Sequence, residues 1–185
     1  MNLRFSVILT FIFLAMATRL VPHLWNFAPM GAVALFGAAH FEQKRYAFVI
    51  PLLAVWLSDL FLNNVIYQEY YPTFTWFGQG IGYLYGAYAL IALLGLQLFR
   101  KKVNAPLVFG GAIGSSVLFF LISNFGCWVG SAMYSQDLTG LIACYTAGIP
   151  FFQGTFLGDL LFSSALFGGF ALAQSRFPQL RISIA

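Results

Sequence analysis

Charge is scarce in this chain: only 8% of its 185 residues are Asp, Glu, Lys or Arg, and it has two Cys and two His. A soluble domain carries about 25% charged residues, so a water-compatible surface wrapped around a core is excluded. The two cysteines, Cys127 and Cys144, have no short metal-ligand spacing such as C-x-x-C; both map to the outer side, where a disulfide between them is possible. Also missing are G-x-S-x-G, H-E-x-x-H, a phosphate-cradling Gly-Lys-Ser/Thr and closely spaced paired carboxylates. No catalytic residue is therefore assigned, and the chain has no means of coupling ATP hydrolysis to work by itself.

What fills the sequence is apolar. Hydrophobic residues make up 61%, 22 of them Phe, and the mean hydropathy is +0.84. A transmembrane helix needs about 20 mainly apolar residues, and the polar interruptions leave room for roughly six. The expectation is an all-α integral membrane protein of six transmembrane helices, one domain over residues 1–185. Helix 1 is expected over Phe5 to Leu20, ended by a turn at Pro22. The chain continues as membrane protein past Arg19, so this segment is expected to be a helix rather than a signal peptide. Helix 2 begins near Pro29, a residue tolerated in a first turn, and reaches about Phe41. At about 20 Å it falls short of the ~30 Å hydrocarbon core, which predicts a recess at its outer end. Helices 3, 4 and 5 follow over Tyr46 to Asn63, Gly78 to Phe99, and from Pro106 to beyond Trp128. Gly148 and Pro150 are expected to turn an outer loop into helix 6, which ends near Gln174.

The nine basic residues fix an orientation. Arg4, Lys44, Arg45, Arg100, Lys101, Lys102, Arg176 and Arg181 all fall at one end of these helices, leaving only Arg19 at the other. The positive-inside rule makes that end cytoplasmic, with both termini. The net charge of +4 is thus a topology signal, and no nucleic-acid partner is read from it.

Two acids, Asp59 and Asp159, fall within the spans, about 7.5 Å and 13 Å below the outer ends of their helices. Ionisable groups at such depth are expensive unless paired, and mark sites by default. Arg19 lies at similar depth and can pair with either acid, as helix glue or as part of a ligand site. The outer half also gathers His23, Trp25, Asn26, Tyr83, Tyr85, Asn124, Trp128, Tyr145 and Gln153, the composition of an aromatic-lined small-molecule pocket. The loop NNVIYQEYYPTFTWF (63–77) is a further aromatic segment suited to capping a ligand. Gly31, Ala34, Gly37 and Ala38 form a smooth helical face, available to a partner protein or to packing within the chain.

Several stretches resemble a known family. RLVPHLWNFAPMGAVALFG (19–37), WLSDLF (56–61), SNFGCW (123–128) and YTAGIPFFQGTFLGDLLF (145–162) are similar to the substrate-binding S-components of energy-coupling-factor (ECF) vitamin transporters, in particular the BtuM-like cobalamin-binding group. The resemblance implies a multi-pass protein of the bacterial cytoplasmic (inner) membrane. It implies capture of cobalamin or another corrinoid from outside and release inward, with ECF transmembrane and ATPase subunits as possible energising partners and membrane lipid as surroundings. A smaller vitamin or a modified nucleoside is the alternative cargo, and enzymatic processing of the corrinoid a further one. The family's cobalt-ligating cysteine has no counterpart in FGQGIGY (77–83), which leaves His23 and Cys127 as the outer-side candidates for cobalt.

Overall fold

The computed structural model describes residues 3–21, 26–78 and 80–181. All regular structure in them is helical. Helix α1 (Leu3–Ala17) runs into a 3-10 turn at Thr18–Leu20, and α2 (Met30–His40) follows. Helix α3 (Tyr46–Phe61) continues into a π-helical turn at Leu62–Ile66. Then come α4 (Ile81–Leu98), α5 (Ala105–Gly130) and α6 (Leu138–Arg176). Five of the six are long and apolar enough to cross a membrane, and α2 is not.

Helix α2 sits at the centre and packs against all five others. Every one of its residues except Ala39 is buried. Its sequence, MGAVALFGAAH, explains this: a helix that is apolar all round has no face to offer water. Its small residues let neighbouring backbones close in. A Cβ on Gly95 of α4 would lie 2.7 Å from the Ala38 Cβ, and one on Gly37 would lie 3.4 Å from Pro51 of α3. The face formed by Gly31, Ala34, Gly37 and Ala38 is therefore used up inside the chain, which corrects the expectation that it could receive a partner: all four residues are buried among α3, α4, α5 and α6.

A second correction concerns α6. No loop precedes Pro150; the helix starts at Leu138 and carries Pro150 inside it. Its start is fixed by Asp137, whose side chain accepts from the Gly140 N–H at 2.8 Å and from the Ser135 hydroxyl at 2.8 Å. These donors hold the Asp137 carboxyl below the usual carboxylate range. Beyond the cap, LTGLIACYTAGI contains nothing that interrupts a helix before the proline. At about 1.5 Å per residue, α6 is roughly twice as long as a hydrocarbon core is thick. It is clasped to the outer half of α5 by the Tyr145 hydroxyl, which donates to the Leu121 carbonyl at 2.6 Å, and by the approach of Gly148 to Asn124.

The two ends of the bundle differ. At one end the ring of Phe36 on α2 lies 4.6 Å from His40, 5.4 Å from Phe167 and 5.5 Å from Phe170, a closed aromatic plug. Phe36→Leu is expected to destabilise the fold by about 1–2 kcal/mol, read as a lower midpoint in detergent unfolding, because the edge-to-face contacts cannot be remade by an aliphatic chain. The other end is hollowed.

Candidate functional site

The hollow end is built on the start of α2. The Asp159 side chain from α6 reaches the first turn of α2, where the Gly31 and Ala32 N–H groups are turned toward its carboxylate. The Ser116 hydroxyl of α5 donates to it at 2.8 Å. Asp159 is 2% exposed. Pro29, at the position before α2, has no capping side chain, so an acid from another helix serves the exposed N–H groups and the positive end of the helix dipole. A Cβ at position 31 would meet Ser115 Oγ and stand 2.5 and 2.7 Å from the two Asp159 oxygens, so a larger residue there has to displace these side chains.

Arg19 meets Asp59, not Asp159. Its Nη2 lies 2.9 Å from Asp59 Oδ1, and its Nη1 donates to the Ser58 hydroxyl, which in turn donates to the Val55 carbonyl at 2.7 Å. Their side chains are 14% and 18% exposed, so the pair is largely removed from water. The Tyr85 hydroxyl is buried in the field of this pair without a hydrogen-bond partner among the described residues. The π-helical turn just beyond Asp59 places Asn64 where it holds Thr75 through two hydrogen bonds, of 2.7 and 3.0 Å. The aromatic loop consequently folds back on α3, with Trp56 Nε1 donating to the Trp76 carbonyl at 3.2 Å. None of its residues lines the hollows beside α2, so it is not a lid over them.

Three adjoining hollows open here. The first, about 180 Å³, is lined by Arg19, Asn26, Met30, Tyr88, Phe119, Thr155 and Asp159 among others. The second, about 220 Å³, shares Asn26, Phe119 and Thr155 with it and adds Ser123, Asn124 and Cys127. The third, about 510 Å³ and more open, shares Ser123 and Cys127 with the second and adds Tyr83 and Gly126. Asn26 stands between the first two with a backbone φ of 55°, a left-handed conformation that asparagine tolerates better than most residues. Single side chains therefore separate spaces with a common wall.

Of the residues singled out in the sequence, Arg19, Asn26 and Asp159 line one hollow, with Asp59 and Tyr85 beside Arg19. Asn124 and Cys127 line the next, and Tyr83 the outermost. His23 and Trp25 lie outside the described residues. Three others do other work. Trp128 donates to the Ser135 carbonyl at 2.8 Å in the α5–α6 connection, Tyr145 ties α6 to α5, and Gln153 is exposed on the outer surface of α6. Cys127 and Cys144 are free thiols. Cys144 is buried with its Sγ 3.4 Å from the Asn124 carbonyl, and among the described residues no three metal-ligating side chains come together. The sequence reading missed Tyr88, Phe119, Ser123 and Thr155. Helical spacing signals one of them, since Thr155 is one turn before Asp159 on the same face.

The arrangement offers a solute an arginine held in place by its own acid, an amide at Asn26, hydroxyls at Thr155 and Ser123, and aromatic walls. That is recognition chemistry, with few polar groups precisely placed in an apolar cavity. Residues 1–180 match the model of DUF6580, a family of unknown function. The chain belongs to the DUF6580 family. No curated protein and no solved structure matches this DUF6580 protein.

Proposed function

We propose that this DUF6580 protein is a membrane-embedded solute-binding subunit that captures an organic solute at the hollow end of its bundle and mediates its uptake. The observation that carries the reading is the gathering of Arg19, Asn26, Thr155 and Asp159 around one cavity that adjoins two further hollows, while the core at the opposite end is filled by the Phe36 plug, with one separate hollow of about 280 Å³ beside it. The basic residues Arg4, Lys44, Arg45 and Arg181 lie at the closed end, which in this reading faces the cytoplasm of a bacterium and leaves the cavity facing out. With no nucleotide-binding motif in the chain, uphill transport draws on ECF-type transmembrane and ATPase subunits.

The resemblance to BtuM-like S-components favours cobalamin or a related corrinoid. Such a ligand exceeds the roughly 300–1,000 Å³ range of drug-sized pockets and the three hollows taken together, so its entry requires them to merge and the helices around them to move apart. Asn26 and Phe119 divide the first hollow from the second, and Ser123 and Cys127 the second from the third. In the merged cavity Cys127, shared by two hollows, is the described thiol nearest the cargo. The two deeper hollows, at about 180 and 220 Å³, favour a second reading: a smaller vitamin or a modified nucleoside.

Protein purified from cells grown with cobalamin is expected to carry corrinoid absorbance near one equivalent and to release heat on titration with cobalamin. Absence of both would remove the corrinoid, and mass spectrometry of co-purified small molecules then tests the smaller cargo. If nothing co-purifies and no candidate vitamin or nucleoside binds, the reading as a solute receptor fails.

A further inference from the structure

The two free thiols stand together where α5 and α6 close on each other. Cys127 lies in the last turn of α5, which ends at Gly130, and Cys144 in the second turn of α6, which starts at Leu138. Asn124 organises the contact between them. Its carbonyl accepts from the Cys144 thiol at 3.4 Å, and its side chain fits against Gly148, one turn further along α6, where the missing Cβ lets the two helices approach. Cys127 follows Asn124 by three residues and so shares its face of α5, which sets its thiol in side-chain hydrogen-bonding contact with the Cys144 thiol. The two differ in access. Cys144 is 2% exposed, whereas Cys127 is exposed and lines the second and third hollows.

A disulfide requires two backbones close together and side chains that point at each other, and thiols already in contact across two tightly packed helices meet that requirement. We propose that Cys127 and Cys144 form a redox modification site, a dithiol that closes to a disulfide joining α5 to α6 by exchange with a low-molecular-weight disulfide. Their unequal access orders the steps. The Cys127 thiolate attacks one sulfur of the donor disulfide, forming a mixed disulfide and expelling one donor thiolate. The Cys144 thiolate then attacks Cys127 Sγ, forming the protein disulfide and expelling the second donor thiolate. The cysteine pair gives up two electrons and two protons, and the donor takes up both as two thiols. Lys101 and Lys102 precede α5 and Arg176 ends α6, so the pair lies at the opposite end of these helices, the end turned outward in the uptake reading, where disulfides form and persist. The bond would fix the spacing of α5 and α6 beside the second hollow, the spacing that entry of a large solute has to widen. That consequence rests on the solute-binding reading, whereas the bond itself does not.

The test treats the full chain in detergent with oxidised glutathione, then counts free thiols with a maleimide after denaturation. Loss of both thiols, an intact mass lower by two hydrogens, no retained glutathione and a cross-linked peptide joining residues 127 and 144 are expected. In Cys144→Ser the exchange should stop at its first step, with one glutathione held on Cys127. In Cys127→Ser the sealed Cys144 should stay unmodified. The proposal is overturned if the unaltered protein keeps both thiols free, if it carries glutathione on Cys127 without closing the bond, or if the disulfide it forms joins two copies of the chain. No solute enters the measurement, so its failure is distinct from a failure of the solute-binding reading, and the result on the unaltered chain stands even where a variant does not fold.

Discussion

Asp159→Ala is expected to destabilise the protein by about 2–4 kcal/mol, the cost of leaving buried donors without their acceptor. The Ser116 hydroxyl donates to this carboxylate at 2.8 Å, and the N–H groups of Gly31 and Ala32 lie beside it. Alanine leaves them facing an apolar wall, and each orphan donor costs about 1–3 kcal/mol. Asparagine is the informative comparison. It is a good helix cap and keeps one acceptor oxygen, so Asp159→Asn is expected to cost only about 1–2 kcal/mol. Unfolding of both variants in the same detergent measures the difference. If Asp159→Asn is as damaging as Asp159→Ala, the negative charge itself, rather than the capping geometry, holds α2 in place. Binding of the co-purifying solute separates a further role. Asp159→Asn should still bind if the acid only caps α2, and should fail to bind while remaining folded if the solute touches the acid. Gly31→Ala should mimic the damage from the other side, since its Cβ would overlap the same oxygens.

The shortness of α2 is legible in the sequence, and its burial is not. The Gly- and Ala-rich face that the sequence leaves open to a partner or to internal packing is taken up by the neighbouring helices, because a segment apolar all round and too short to span finds its cover inside the bundle. Its two ends were less legible. A chain read residue by residue gives depths for Asp159 and Arg19 but not azimuths, so which acid Arg19 meets was open until the helices were packed. The start of α6 was misread for a related reason. Pro150 is a strong local breaker signal, yet it sits inside a helix whose upstream turns are anchored to α5 through Tyr145 and Cys144, and tertiary contacts outweigh that signal. Arg4 was counted as a topology marker only. That it is buried, and reaches the last carbonyl of α2, depends on Leu180 arriving from the far end of the sequence. Seen together, Arg4 and Asp159 place opposite charges at the two ends of one buried helix, each sign matched to the dipole end it faces.

Arg19→Ala and Asp59→Ala are each expected to cost about 2–4 kcal/mol, while the double variant should cost little more than either alone, a coupling of about 2–3 kcal/mol. Either single change leaves one charge largely buried with no partner, whereas the double change removes both. At 2.9 Å, with both side chains under one-fifth exposed, the pair is beyond the regime in which solvent screening makes ion pairs negligible. Its value to the protein goes beyond cohesion. Arg19 borders the first hollow while Asp59 and Ser58 hold it from behind, so the pair presents a cation at a fixed position in a medium of low dielectric. Solute affinity should therefore fall in all three variants by more than the accompanying loss of stability accounts for. That divergence between stability and binding is what a purely structural ion pair would not produce. A folded double variant that binds as the unaltered protein does would assign Arg19 to helix cohesion alone and leave recognition to Asn26, Thr155 and the aromatic walls.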